Sequence, residues 1–412
     1  MTNKTTRKYF FPALSVKIFG ALVLGFIYQY YYQGGDTYNY YYWGSKWVWE
    51  AFLDSPIQAL EIIFGSSETH NPELYQYTSR MIFYDTGGAG FVSRVAGFFA
   101  LFTANTYSTI AIFFALISFM GSWYLFSILS YYHTPRTRYI AIALFFLPSI
   151  ILWGSGLLKD TLTLGGVCFI VGALIRLIAD NRFKATHLSY MILGLYILFM
   201  TKIYVLFCLI PCAGIMIFQN FKVQIKPRPL RIILGPILIG TAVLVSAFGI
   251  NFVNKGGKYS LDNLIETAEA TAWWHGYVSQ EESGAGYTLG DYDYSAGGIV
   301  KKIIPAINVT LFRPYPWEVK SVFMLFSSFE SLIFLILTVY VMFKVRFKDL
   351  YKRLSHPLIL SLTVFSLTFA FAIGAVTYNF GALVRYKVPI LPLYLIVLIL
   401  LAWKEMPENL KK

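Results

Sequence analysis

Runs of roughly 20 apolar residues with few charges recur along the whole chain, and that is the length an α-helix needs to cross the hydrocarbon core of a bilayer. An early one is "PALSVKIFGALVLGFIYQYYY" (12–32), and the last is "LVRYKVPILPLYLIVLILLAW" (383–403). The runs are continuous rather than alternating, which argues against a β-barrel. Of the 412 residues only 13% are charged and 57% are hydrophobic, against about a quarter charged in soluble domains. The fold expected is all-α, a polytopic membrane protein of about ten spans. Their approximate ranges are 12–32, 107–130, 139–156, 158–178, 187–201, 203–219, 230–250, 321–343, 357–378 and 383–403, with 91–105 as an interfacial or re-entrant piece. No separate soluble domain and no internal repeat is visible, so 1–412 reads as a single integral membrane domain.

Basic residues followed by an apolar run at the N-terminus resemble a signal peptide. Tyrosines follow the run instead of a small-x-small cleavage site, so an uncleaved first span is expected. The net charge of +13 is explained by its distribution. With the N-terminus placed in the cytoplasm, the alternate loops carry Lys4, Arg7, Lys8; Arg136, Arg138; Arg176, Arg182, Lys184; Lys222, Lys226, Arg228, Arg231; Lys344, Arg346, Lys348, Lys352, Arg353; and Lys404, Lys411, Lys412. Every cytoplasmic loop is then basic, as the positive-inside rule requires, and both termini are cytoplasmic. The charge is topogenic and does not point to nucleic acid. Cys168, Cys208 and Cys212 all fall in apolar runs and imply no disulfide framework. His70, His133, His187, His275 and His356 show no metal-ligand spacing, and no phosphate-cradling glycine loop is present.

Two long segments lie on the outer side. The first, 33–91, contains "SKWVWEAFLDSPIQALEIIFGSS", whose helical spacing and tryptophans suit an amphipathic helix on the outer leaflet. The second, 251–319, includes "EESGAGYTLGDYDYSAGG" and is long enough for a lid or binding loop. The ionisable residues at the outer ends of the spans converge on one membrane face: Asp36, Lys159, Asp160, Lys202, Arg313, Glu318, Glu330, Arg385 and Lys387.

Asp36 stands in "YQYYYQGGDTYNYYYWGSKWVWE" (28–50), among eight tyrosines and three tryptophans. It either makes an Asx turn in an aromatic belt or is a base at the water boundary. In the second case Tyr38, Tyr40 and Trp43, with Trp317 from the other outer segment, offer rings for a sugar. Lys159 and Asp160 suit an ordinary helix start, a carboxylate favoured by the dipole beside a snorkelling lysine. Gly154 and Gly156 just before them mark a sharp turn or a close approach, and a helix N-terminus favours phosphate. Glu330 is an intramembrane carboxylate or the wet start of a helix that begins outside the bilayer. Arg385 and Lys387 anchor the last span at the interface or hold a phosphate. Asp291 and Asp293 are a weak divalent-cation pair or a solvated loop; no other cofactor is suggested.

The segments "GGDTYNYYYWG", the long outer segment with its amphipathic helix, and "VRYKVPILPLYLIVLILL" together resemble the GT-C superfamily of membrane glycosyltransferases. That resemblance implies a base in the first outer loop, a sugar donor on a polyprenyl phosphate, and a basic residue holding the phosphate. Carried onto this chain it implies Asp36 as base, with Asp160 or Glu330 as substitute, and Arg385 on the phosphate, assisted by Lys387, Lys159 or Arg313. The acceptor would be an envelope glycan, lipid or protein, and the site would face the periplasm or exterior of a cell (inner) membrane. A single Asp stands at 36 where many members of the superfamily have an acidic pair. "FLPSIILWGSGLLKDTL" and "FRPYPWE" also resemble bacterial membrane proteins near polysaccharide polymerases. A polymerase or ligase is the nearest rival, and a lipid or glycan flippase or a structural envelope subunit are the readings of another class.

Overall fold

Five of the apolar runs form uninterrupted helices long and apolar enough to cross a membrane: Arg7–Tyr31, Tyr107–Tyr132, Lys159–Ala179, Val322–Lys344 and Pro357–Thr377. A further apolar pair, Phe380–Tyr386 and Leu391–Ala402, has axes that meet at 65° and is a broken span or a re-entrant loop. The computed structural model describes residues 4–65, 71–179, 184–221, 286–290 and 296–403, with a few single positions between 269 and 277. The run at 230–250 and the pair Asp291 and Asp293 lie outside the described residues. Among the described residues the chain is helical and forms no strand: it is a helical membrane protein.

The chain divides into two units, Met1–Ile203 and Tyr204–Lys412. In the first, α1 (Arg7–Phe26) runs on as a π-helical turn, Ile27–Tyr31. A short α2 (Asp36–Tyr40), a second π-helical turn (Tyr41–Ser45), and α3 (Lys46–Asp54) and α4 (Pro56–Phe64) follow. A single turn α5 (Tyr75–Thr78) leads to α6 (Gly87–Thr103), α7 (Tyr107–Tyr132), α8 (Thr137–Phe145), α9 (Pro148–Leu152), α10 (Lys159–Ala179) and α11 (Ala185–Thr201). The second unit holds α12 (Ile203–Phe221), α13 (Ala296–Phe312), α14 (Val322–Lys344), α15 (Phe347–Leu354), α16 (Pro357–Thr377), α17 (Phe380–Tyr386) and α18 (Leu391–Ala402).

Three elements differ from the sequence reading, each for a local reason. The span read at 139–156 is broken: α8 stops at Phe145, Leu147 is extended, and α9 restarts at Pro148. Proline disfavours helical backbone at the residue before it and lacks the N–H that would continue the ladder. The amphipathic helix of the first outer segment is likewise two helices, parted at Ser55 before Pro56. Its inner row (Val48, Ala51, Ala59, Ile62) packs against Leu74, Tyr77 and Met81, while Leu53, Ile57, Leu60 and Phe64 remain exposed. Finally, 296–312, read as part of an outer loop, is a 17-residue helix. Lys302, Ala306, Val309 and Thr310 line its buried face, and Thr310 Oγ1 donates to Ala370 O on α16 at 2.7 Å.

Small residues let helix backbones meet, the usual device within a membrane. A Cβ on Gly121 of α7 would sit 2.3 Å from Gly165 O of α10. That contact is with backbone, which has little room to give. Gly121→Ala is therefore expected to cost about 1–3 kcal/mol, read as a lowered unfolding temperature in detergent; an unchanged temperature would show that the two helices separate freely.

Candidate functional site

In the first unit the aromatic stretch builds a turn that presents Asp36. The π-helical turn Ile27–Tyr31 is followed by Gln33, Gly34 and Gly35 with φ of 54°, 138° and 113°. Left-handed backbone favours glycine, which explains the Gly34-Gly35 pair. Tyr28 lies against Gly35, where a Cβ would meet its ring at 2.9 Å. Asp36 opens α2, half-exposed. One residue on, Thr37 Oγ1 lies 2.7 Å from the Tyr107 hydroxyl. Tyr38 stacks on Tyr107 at 4.5 Å and on Tyr42 at 5.5 Å, and its hydroxyl donates to Gln29 Oε1. Burial, reinforced by neighbouring tyrosines, pushes the Tyr38 phenol up to about 12, and burial raises Tyr41 as well. At neutral pH these phenols stay protonated and donate hydrogen bonds. Tyr38 and Tyr40 are buried, whereas Trp43 and Tyr42 are exposed. Of the rings named for sugar stacking on this side, Trp43 presents its surface to solvent.

The same end of this unit holds Asp160. Tyr28 packs edge-on against Trp153, in the non-helical stretch that leads into α10. Gly156 in that stretch meets α1, with a Cβ placed 2.1 Å from Leu24. Asp160 follows Lys159 at the start of α10, where a carboxylate is favoured by the helix dipole. It is 1% exposed and pairs at 2.5 Å with Lys202, itself 7% exposed, at the end of α11. Thr163 Oγ1 donates to Lys159 O below them.

A cation absent from the sequence-based candidates lies deeper. Lys17, fully buried on α1, donates to Gly154 O at 2.7 Å and Ser118 Oγ at 3.1 Å, and Ser118 donates to the same carbonyl at 2.8 Å. Non-helical backbone inside an apolar body must be satisfied by protein; Lys17 and Ser118 do this for the break after α9. No local signal singles out Lys17, because a lone lysine in an apolar run reads as one that snorkels.

The second unit repeats the triangle. Lys387, fully buried between α17 and α18, donates to Ser331 Oγ at 2.7 Å and to Arg313 O at 3.1 Å, and Ser331 donates to Arg313 O at 3.1 Å. The Arg313 guanidinium makes a two-pronged contact with Glu318, Nε to Oε2 at 3.0 Å and a second bond to Oε1. Glu318 Oε2 also accepts from the Tyr315 N–H at 2.7 Å. The guanidinium lies 5.2 Å from the Phe380 ring and 5.9 Å from that of Tyr287. Tyr287 was not a sequence candidate. Its N–H bonds Tyr378 O and its hydroxyl bonds Gly374 O, which docks 286–290 on the break between α16 and α17. Burial raises its phenol well above the ordinary value, so it stays a donor.

Glu330 is buried on α14, 3% exposed, rather than wet. Arg385 is half-buried in the last turn of α17. Trp317 is 79% exposed and stacks on Tyr315 at 4.9 Å. The first unit therefore brings the Asp36 turn and the Asp160 pair to one end of its helices. The second brings Arg313, Glu318, Glu330 and Lys387 to the breaks of its own, with Arg385 two residues before Lys387. Among the described residues no group of three or more His, Cys, Asp or Glu side chains is placed to hold a metal ion. Comparison with protein-family models, with curated proteins and with solved structures finds no match.

Proposed function

We propose that the chain is a membrane glycosyltransferase that moves a sugar from a polyprenyl-phosphate-linked donor to an envelope glycan, lipid or protein acceptor. In this reading both termini are cytoplasmic, about ten segments cross or enter the bilayer, and the site faces the periplasm or exterior from a cell inner membrane. One observation carries most weight: the half-exposed Asp36 and the buried Asp160–Lys202 pair lie at the same end of the first unit. Such a transfer needs a base for the acceptor hydroxyl, fixed positive charge for the departing phosphate, and exclusion of water. Asp36, half-exposed at the start of α2, is the base in this reading, with Asp160 or Glu330 as substitute. The resemblance to the GT-C superfamily assigns the phosphate to Arg385, assisted by Lys387, Lys159 or Arg313.

With purified protein and a polyprenyl-phosphate sugar, Asp36→Asn is expected to lower turnover about 10²–10⁴-fold while leaving the unfolding temperature unchanged. Full activity in that variant would remove Asp36 as the base.

A second reading, a lipid or glycan carrier, is favoured by the broken helices α8–α9 and α17–α18, since carriers place interrupted helices at their substrate sites. The same reconstituted protein distinguishes the two: movement of the lipid-linked sugar across vesicles without release of polyprenyl phosphate would establish the carrier and overturn the transferase.

A further inference from the structure

We propose that α15 is an in-plane anchor that binds the headgroups of anionic phospholipids. It connects two spanning helices, α14 and α16, through Val345 and Arg346 on one side and Ser355 and His356 on the other. A connection so short holds its eight residues, about 12 Å of helix, at the membrane surface where one span ends and the next begins. None of its side chains is buried.

Its two faces differ sharply. Phe347, Leu350, Tyr351 and Leu354 recur at helical spacing, and Phe347 and Tyr351 are 86% and 71% exposed. Phe343, at the end of α14, is 88% exposed as well. Rings this open to solvent match an apolar face sunk into the boundary between headgroups and acyl chains. The other face carries Lys348 and Lys352, one helical turn apart and both exposed, and Arg346 just before the helix is exposed too. Asp349 is the single acid among 344–356. Arg353 has another task, donating to Leu401 O and tying the end of α15 to α18. Basic residues above an apolar stripe are the complement of an anionic leaflet, where each contributes about 1 kcal/mol. This inference is independent of the proposed enzymatic activity.

The test titrates the full chain in detergent with short-chain phosphatidylglycerol or phosphatidylcholine and follows binding by the shift in unfolding temperature. The wild type is expected to bind phosphatidylglycerol at least 10-fold more tightly, with the preference shrinking as salt screens it. Lys348→Gln and Lys352→Gln are each expected to reduce that preference about 5-fold. Phe347→Ser is expected to weaken both lipids. Equal binding of the two lipids, or an unchanged preference in the lysine variants, would overturn the proposal. So would full competition by inorganic phosphate, or by an acidic peptide, since either would assign this face to a soluble anion or a protein.

Discussion

Asp160→Ala is expected to destabilise the protein by about 3–5 kcal/mol. The carboxylate and Lys202 are both buried, so truncating one leaves the other charge without its counterion in a medium that solvates it poorly. The same cost is expected of Lys202→Ala. The test is a double-mutant cycle on unfolding in detergent or bicelles. If the pair acts as a unit, Asp160→Ala with Lys202→Ala costs far less than the two single changes added together. Strict additivity would mean that each residue is held by other partners and that the contact is incidental. The pair also ties the start of α10 to the end of α11.

The second large effect concerns Lys17. Lys17→Ala is expected to cost about 2–5 kcal/mol, the range for deleting a large buried side chain and leaving a cavity. Lys17→Met keeps the stem and removes the ammonium. Gly154 O keeps its bond from Ser118, while Ser118 Oγ loses the donor it had in Lys17. Met keeps the packing of the stem and forfeits hydrogen bonds worth about 0.5–1.5 kcal/mol each, so it is expected to cost less than Ala. Unfolding of both variants decides. Equal losses for Ala and Met would show that the hydrogen bonds, and not the stem, hold the broken segment against α1.

What could be read in advance follows the range of the interaction. The turn at Asp36 was legible because Gly34-Gly35 is a local signal for left-handed backbone. Of the ten expected spans, five were legible as single long apolar helices, because a helix must be apolar over about 20 residues to cross and that is a property of one stretch. The break in 139–156 was visible in principle at Pro148, but its apolar flanks concealed it. The helix 296–312 was hidden by Gly297, Gly298, Lys301, Lys302 and Pro305, which spell a loop until α16 covers one face. The two lysine triangles were out of reach: Lys17 meets a carbonyl 137 positions away and Lys387 one 74 positions away. Glu318 illustrates the middle case, since its partner Arg313 is five residues off, yet only the fold turns both inward.

The two π-helical turns flanking the glycine pair each accommodate one residue more per turn than their neighbours. Excising a single amino acid from 27–31 would let that stretch relax to ordinary winding, but everything after it would swing by about 100° around the α1 axis. The Asp36 carboxylate would then point along a different compass bearing while every residue of its surroundings stayed chemically the same. The direction in which this carboxylate looks is thus written in a count of residues rather than in their identity.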